Sequence, residues 1–184
     1  MEDLDSSILK ITNDLVIWDD DSKEIKLMRS AADRLTFDGY KLIWHKGSSA
    51  TAYTGFSGLA DETARESEKD RGPIPQGEFA IDPGNIEVLE KNDDWGSNRV
   101  KVEPLKLTVD RMKNCFGVVR TAMYVHGGEA KGTIGCIELN NDDEEAEFFK
   151  KLKKYGKKIQ LIVAYTGDRK KKYEETKCPY KTFV

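Results

Sequence analysis

The chain has 184 residues, 38% hydrophobic and 34% charged, with 30 basic and 33 acidic side chains interleaved to a net charge of -3. One domain with its own core fits that length, and the interleaving gives no dedicated nucleic-acid surface. No apolar run approaches the roughly 18 residues that would cross a bilayer, so membrane insertion is not expected.

The chain starts acidic, MEDLDSSILKITND, without the basic and then apolar regions of a secretory signal. Leu15 to Met28, with apolar positions on either side of an acidic turn at Asp20 to Lys23, predicts a β-hairpin, and residues 1–39 read as a lead-in to the same domain. Tyr40 to His45 predicts a strand. The charged run DETARESEKDR reads as a surface loop or short helix, and the two prolines of GPIPQGEFAI fix a rigid approach to a strand from about Glu78. Short alternating stretches at Ile86 to Leu89, Arg99 to Glu103 and Leu107 to Val109 predict further strands.

Gly117 to His126 suits one extended strand whose period of two places Arg120, Ala122, Tyr124 and His126 on one face, with Val119, Thr121, Met123 and Val125 facing the core. After Leu139, Asn140 or Asn141 can cap a helix, DDEEAEFFKKLKKYGKK, with acids first, lysines last and an apolar stripe of Phe148, Phe149, Leu152 and Tyr155. Gly156 stops it, and KIQLIVAYT returns as a buried strand. Residues 167–184 read as a basic tail, which a solvated terminus explains more simply than a binding site. The expected architecture is mainly β with one principal helix, α+β, in a single domain.

The chemistry concentrates in YVHGGEAKGTIGCIEL, residues 124–139. A thiol becomes a nucleophile when a base lies within reach, and His126 precedes Gly127 and Gly128 while Cys136 follows Gly135. Backbone N–H groups at Gly135 and Cys136 would suit an oxyanion hole. Spacing alone leaves chance pairing and an inert buried cysteine open as well. Cys115 and Cys178 read as structural or surface cysteines, able to pair only if the tail folds back. Two histidines and three scattered cysteines show no metal-ligand spacing, and no cofactor is implied. His45 reads as structural.

HGG followed by TIGCIEL resembles the signature of YkuD-type L,D-transpeptidase domains. TGFSG at 54–58, GPIPQGEFAI at 72–81 and RTAMYVHGG at 120–128 extend that resemblance, in order, toward a divergent branch that includes L,D-carboxypeptidase/transpeptidase effectors of type VI secretion systems. The matching blocks run from about 40 to 166. The resemblance implies a YkuD-like mixed β-sandwich, Cys136 as nucleophile, His126 as base, Gly135 and Cys136 as oxyanion donors, and Thr133 as the motif hydroxyl.

It further implies that Gly127 and Gly128 border the substrate. Arg120 is either the partner of a substrate carboxylate or an exposed ion-pairing arginine. Tyr53 and Ser57, with Phe56 and Gly58, line the groove or belong to a turn with core aromatics. Glu138 departs from the pattern, since many such domains carry Arg or Asn two residues after the cysteine. The implied substrates are peptidoglycan stem peptides, with an immunity protein and a secretion apparatus as partners. The protein would be made in the cytoplasm and delivered to a target cell's periplasm. A sortase-like or papain-like peptidase is disfavoured by the order and spacing of His126 and Cys136, and a silent glycan- or protein-binding module is the alternative from another class.

Overall fold

The computed structural model describes residues 32–59, 63–129 and 132–178. The expected hairpin at 15–28 and the last six residues of the tail lie outside them. Within the described residues the protein is mainly β: one mixed nine-stranded sheet with three short-to-medium helices. No described helix is long and apolar enough to cross a membrane.

The strands are β1 (Arg34–Phe37), β2 (Lys41–Lys46), β3 (Ser49–Thr54), β4 (Phe56–Leu59), β5 (Gly77–Asn92), β6 (Gly96–Pro104), β7 (Tyr124–Gly127), β8 (Gly132–Leu139) and β9 (Ile159–Val163). Their lateral order is β3-β2-β1-β9-β5-β6-β7-β8-β4. The two outermost strands, β3 and β4, are consecutive in the chain with only Gly55 between them. The sheet must therefore roll until its edges meet at that residue. A Cβ there would touch both Phe37 of β1 and Ile137 of β8 at 3.4 Å, so strands from opposite halves converge on it.

Period-two patterning fills the interior. Leu35, Phe37, Leu42, Trp44, Tyr53, Phe79, Ile81, Val100, Val102, Val125, Ile137 and Leu161 form one continuous core. The helix α2 (Asp142–Tyr155) closes it with Phe148, Phe149 and Leu152. Asn141 caps α2 by accepting from the Glu144 N–H at 3.0 Å, and Gly156 ends it in the left-handed conformation. Expectation and structure agree there closely.

Two expectations change, and a third, a strand at Ile86 to Leu89, holds but is part of a longer one. Leu107 to Val109 is not a strand but part of helix α1 (Lys106–Arg111), which continues through a π-helical turn, Met112–Phe116. Three alternating residues cannot set a period, whereas Thr108, Arg111 and Met112 are buried at helical spacing. Residues 118–123 form no regular strand; β7 starts only at Tyr124, because Arg120 is drawn away to loop carbonyls. Ile86 to Leu89 is the outer half of the long β5, which passes Pro83 and Gly84 through a register shift between Ile81 and Ile86.

The tail also differs from a solvated terminus. Gly167–Tyr173 forms helix α3, Tyr173 enters the core, and Cys178 is bonded to Cys115 with their Cα atoms 5.0 Å apart. Basic side chains mark the outside of this segment, while one aromatic and one cysteine decide where it goes.

Candidate functional site

The site is a rung across the sheet. Glu87 of β5 faces Arg99 of β6, Arg99 faces His126 of β7, His126 faces Glu138 of β8, and Glu138 faces Phe56 of β4. Side chains in register share a face. Val125 and Ile137, one position earlier, point into the core, so His126 and Glu138 point away from it. By the same alternation Cys136 lies beside Tyr124, on the face that carries His126.

Strand β8 reaches this arrangement through a bulge. Phe56 pairs with Glu138, but Gly58 pairs with Thr133, so residues 134–136 are extra on β8. A bulge of that kind re-aims side chains. It puts Ile134 half-exposed at its tip and turns Gly135 to a φ of 108°, a value that favours glycine. Thr133 closes the bulge: its hydroxyl accepts from the Cys136 N–H at 2.9 Å and donates to the Cys136 carbonyl at 2.7 Å. The Cys136 N–H is thus occupied in this conformation rather than free as an oxyanion donor.

His126 Nδ1 lies 2.5 Å from the Gly127 carbonyl oxygen, which can only accept. Nδ1 therefore carries the proton and Nε2 keeps its lone pair, the form a general base needs. Burial, and then the Arg99 charge, hold the imidazole below its usual pKa, with the Gly127 contact working the other way. Burial pushes the Cys136 thiol up to about 11, against smaller opposing pulls from the Tyr124 backbone and the Arg120 and Arg99 guanidinium groups. Both shifts favour the uncharged forms, thiol and neutral imidazole, over thiolate and imidazolium.

Trp95, in the turn between β5 and β6, covers the imidazole with ring centroids 4.8 Å apart. Arg99 stacks on Trp95 at 4.9 Å and on Tyr124 at 5.1 Å, and gives two N–H groups to Glu87 at 2.7 and 3.0 Å. Glu145 of α2 pins that turn by accepting from the Ser97 and Asn98 N–H groups at 3.0 and 2.9 Å. Gly127 is where this turn and α2 meet: a Cβ would stand 1.8 Å from the Glu145 carboxylate. At Gly128, with a φ of 134°, a Cβ would stand 2.8 Å from the Asp93 carbonyl. Close packing accounts for both glycines.

Arg120 is buried behind the bulge. Its guanidinium donates to the carbonyls of Glu66 at 2.9 Å, Pro73 at 2.6 Å and Gly72 at 2.7 Å, and approaches that of Ile134 at 3.5 Å. A Cβ on Gly135 would lie 2.5 Å from the same group. Neither the expected carboxylate partner nor an exposed ion-pairing arginine describes this side chain. It supports the bulge that carries Cys136 from behind, and its donors are spent on the backbone.

The loop it grips is anchored in turn. Glu66 is fully buried and ion-paired with Arg111 at 2.6 Å, and it accepts from the N–H groups of Gln76 at 2.7 Å and Glu175 at 3.0 Å. The charged run expected at the surface therefore sends one carboxylate inside. No sequence cue separates Glu66 from its acidic neighbours.

Tyr53 and Ser57 do not lie with His126 and Cys136. Tyr53 is in the core against Phe148, and Ser57 Oγ accepts from the Ile74 N–H at 2.8 Å. Both are buried strand residues, Tyr53 in β3 and Ser57 in β4, rather than parts of a turn. His45 bonds the Thr36 hydroxyl at 2.8 Å. Trp95 and Arg99 were not legible as site residues; the only signal was an aromatic in the turn sequence NDDWG.

No family model matches the chain, and no curated protein matches it.

Proposed function

We propose that the protein is a cysteine acyl-transfer enzyme, an L,D-carboxypeptidase or L,D-transpeptidase acting on peptidoglycan stem peptides. The observation that carries the chemistry is the tautomer of His126, with Nδ1–H held by Gly127 and Nε2 left unprotonated, on β7, the strand paired with the one that carries Cys136. The substrate class rests on the resemblance of HGG and TIGCIEL to YkuD-type domains.

The thiol proton passes to His126 Nε2 as Cys136 Sγ attacks the carbonyl preceding the terminal D-residue. Collapse of the tetrahedral intermediate breaks the C–N bond, and the imidazolium returns the proton to the departing amine. Water then resolves the thioester in a carboxypeptidase, and an amine resolves it in exchange or cross-linking. Because the resting thiol is protonated, activation is coupled to substrate docking rather than stored beforehand. By the same resemblance, the protein acts as an antibacterial effector delivered to a rival's periplasm, with a cognate immunity protein.

Incubation with muropeptides followed by mass spectrometry tests this reading. Loss of terminal D-alanine, or its exchange for a supplied D-amino acid, is expected, and Cys136→Ala abolishes it. A second reading, a silent binding module, is favoured by the burial of Cys136. It prevails if the native protein and Cys136→Ala give identical muropeptides.

A further inference from the structure

Glu138 is fully buried, and neither carboxyl oxygen has a hydrogen-bond partner. Native proteins rarely leave such a group unanswered, because desolvation of a carboxyl without a partner is costly. The Gly132 N–H lies near enough to ease the charge but not at hydrogen-bonding geometry. Glu138 is in register with His126, two residues beyond Cys136 on the same face, and its charge acts on the thiol. The charge that acts on it is that of Asp94, also acidic, in the turn that covers the site. No cation of the described residues answers it: Arg99 is engaged with Glu87, Trp95 and Tyr124, and Arg120 with loop carbonyls.

We propose that Glu138 is the floor of an ammonium-binding subsite beside the nucleophile, taking a primary ammonium group carried by the acyl donor. The inference rests on the acyl-transfer reading for its substrate, but the subsite itself does not require turnover. A substrate ammonium supplies the missing counter-charge and the missing hydrogen-bond donors together. Its position next to Cys136 and His126 makes the same contact a way to align the scissile carbonyl. Access requires the Asn92–Gly96 turn to lift, since Trp95 stacks on His126 and the Asp93 carbonyl accepts from the Glu129 N–H at 2.8 Å.

Two measurements separate this subsite from the activity. Cys136 is the free cysteine, the other two being joined, so methanethiosulfonate reagents report on it alone. Thiolate attack on the sulfenyl sulfur forms a disulfide and expels methanesulfinate. The rate with the cationic aminoethyl reagent is divided by that with the anionic sulfonatoethyl reagent at pH 8, in native protein and in Glu138→Gln. The ratio is expected to fall by about tenfold in the variant, the order of a nearby unit charge acting through a medium of intermediate dielectric. An unchanged ratio overturns the subsite.

The second measurement compares stem tetrapeptides whose third residue is lysine or Nε-acetyl-lysine. Native enzyme is expected to favour the free amine by about tenfold in KM, and Glu138→Gln to bring the two peptides together. Equal loss on both peptides overturns the subsite and leaves Glu138 a packing residue. If neither peptide turns over but the reagent ratio falls, the ammonium subsite stands and the stem-peptide reading fails.

Discussion

The Thr133 hydroxyl holds Cys136 by both of its main-chain groups, accepting from its N–H at 2.9 Å and donating to its carbonyl at 2.7 Å. One side chain thereby closes the bulge that presents Cys136. Thr133→Val keeps the shape and removes both bonds, leaving buried polar groups unpaired at a cost of about 1–3 kcal/mol. Thermal denaturation should show that loss, with a larger proportional loss of turnover. Thr133→Ser should restore most of both. A valine variant as stable and as active as the native protein would show that the bulge holds itself.

The buried pair of Glu66 and Arg111 predicts a severe stability effect far from any chemistry. Glu66→Ala strands the Arg111 guanidinium and the Gln76 and Glu175 N–H groups, so a cost of about 3–5 kcal/mol is expected. Urea denaturation measures it. A neutral effect of Lys69→Ala, at an exposed position in the same run, provides the contrast.

The Cys115–Cys178 bond closes a span of 63 positions, for which chain entropy gives a stabilisation of about 4 kcal/mol. Reduction, or the double variant Cys115→Ala/Cys178→Ala, should lower the unfolding free energy measured by urea denaturation by that order. Under non-reducing, denaturing conditions a thiol reagent should modify only Cys136. Labelling of all three would contradict the bond.

Glu138 makes stability depend on pH in an unusual direction. Burial, with Asp94 adding to it and Gly132 opposing it, pushes this carboxyl from an ordinary 4.5 up to about 7. The folded protein holds the proton longer than the unfolded chain, so stability falls as pH rises from about 4.5 to about 7 and then levels. Besides Asp94, the groups facing it are Cys136, His126 and, one strand further, Arg99. Glu138→Gln removes the penalty. It should stabilise the protein by about 2–3 kcal/mol at pH 8 and by little at pH 4, measured as denaturation midpoints at both values. No gain at pH 8 would mean that the carboxylate is already compensated.

Much of the scaffold was legible because it rests on local rules. Asn141, the Phe148–Phe149–Leu152 stripe and Gly156 define α2, and alternation places Leu42 with Trp44 and Phe79 with Ile81 inside. His126 and Cys136 were singled out on other grounds, the resemblance of their glycine-flanked segments, and the pairing of β7 with β8 puts them on neighbouring strands. The surroundings of Arg120, Glu66 and Glu138 were not legible, since a charged side chain carries no mark in sequence of whether its partner is solvent, backbone or nothing. Long-range pairing decided them. The same holds for Thr108, read as a strand residue, whose hydroxyl instead binds the Glu78 backbone from a helix.

The roll of the sheet has a consequence for how the chain is made. Strands β1 to β3 can assemble locally, but among the described strands their lateral link to the rest is β9, which pairs Arg34 with Gln160 in parallel. The first of the described sheet segments to be synthesised therefore waits, one edge unpaired, for the last of the described strands. Non-local parallel pairing of this kind is slow because loop closure precedes its reward. Folding is expected to be limited by that single docking event, and truncation before Ile159 should leave an open-edged, association-prone chain rather than a smaller stable domain.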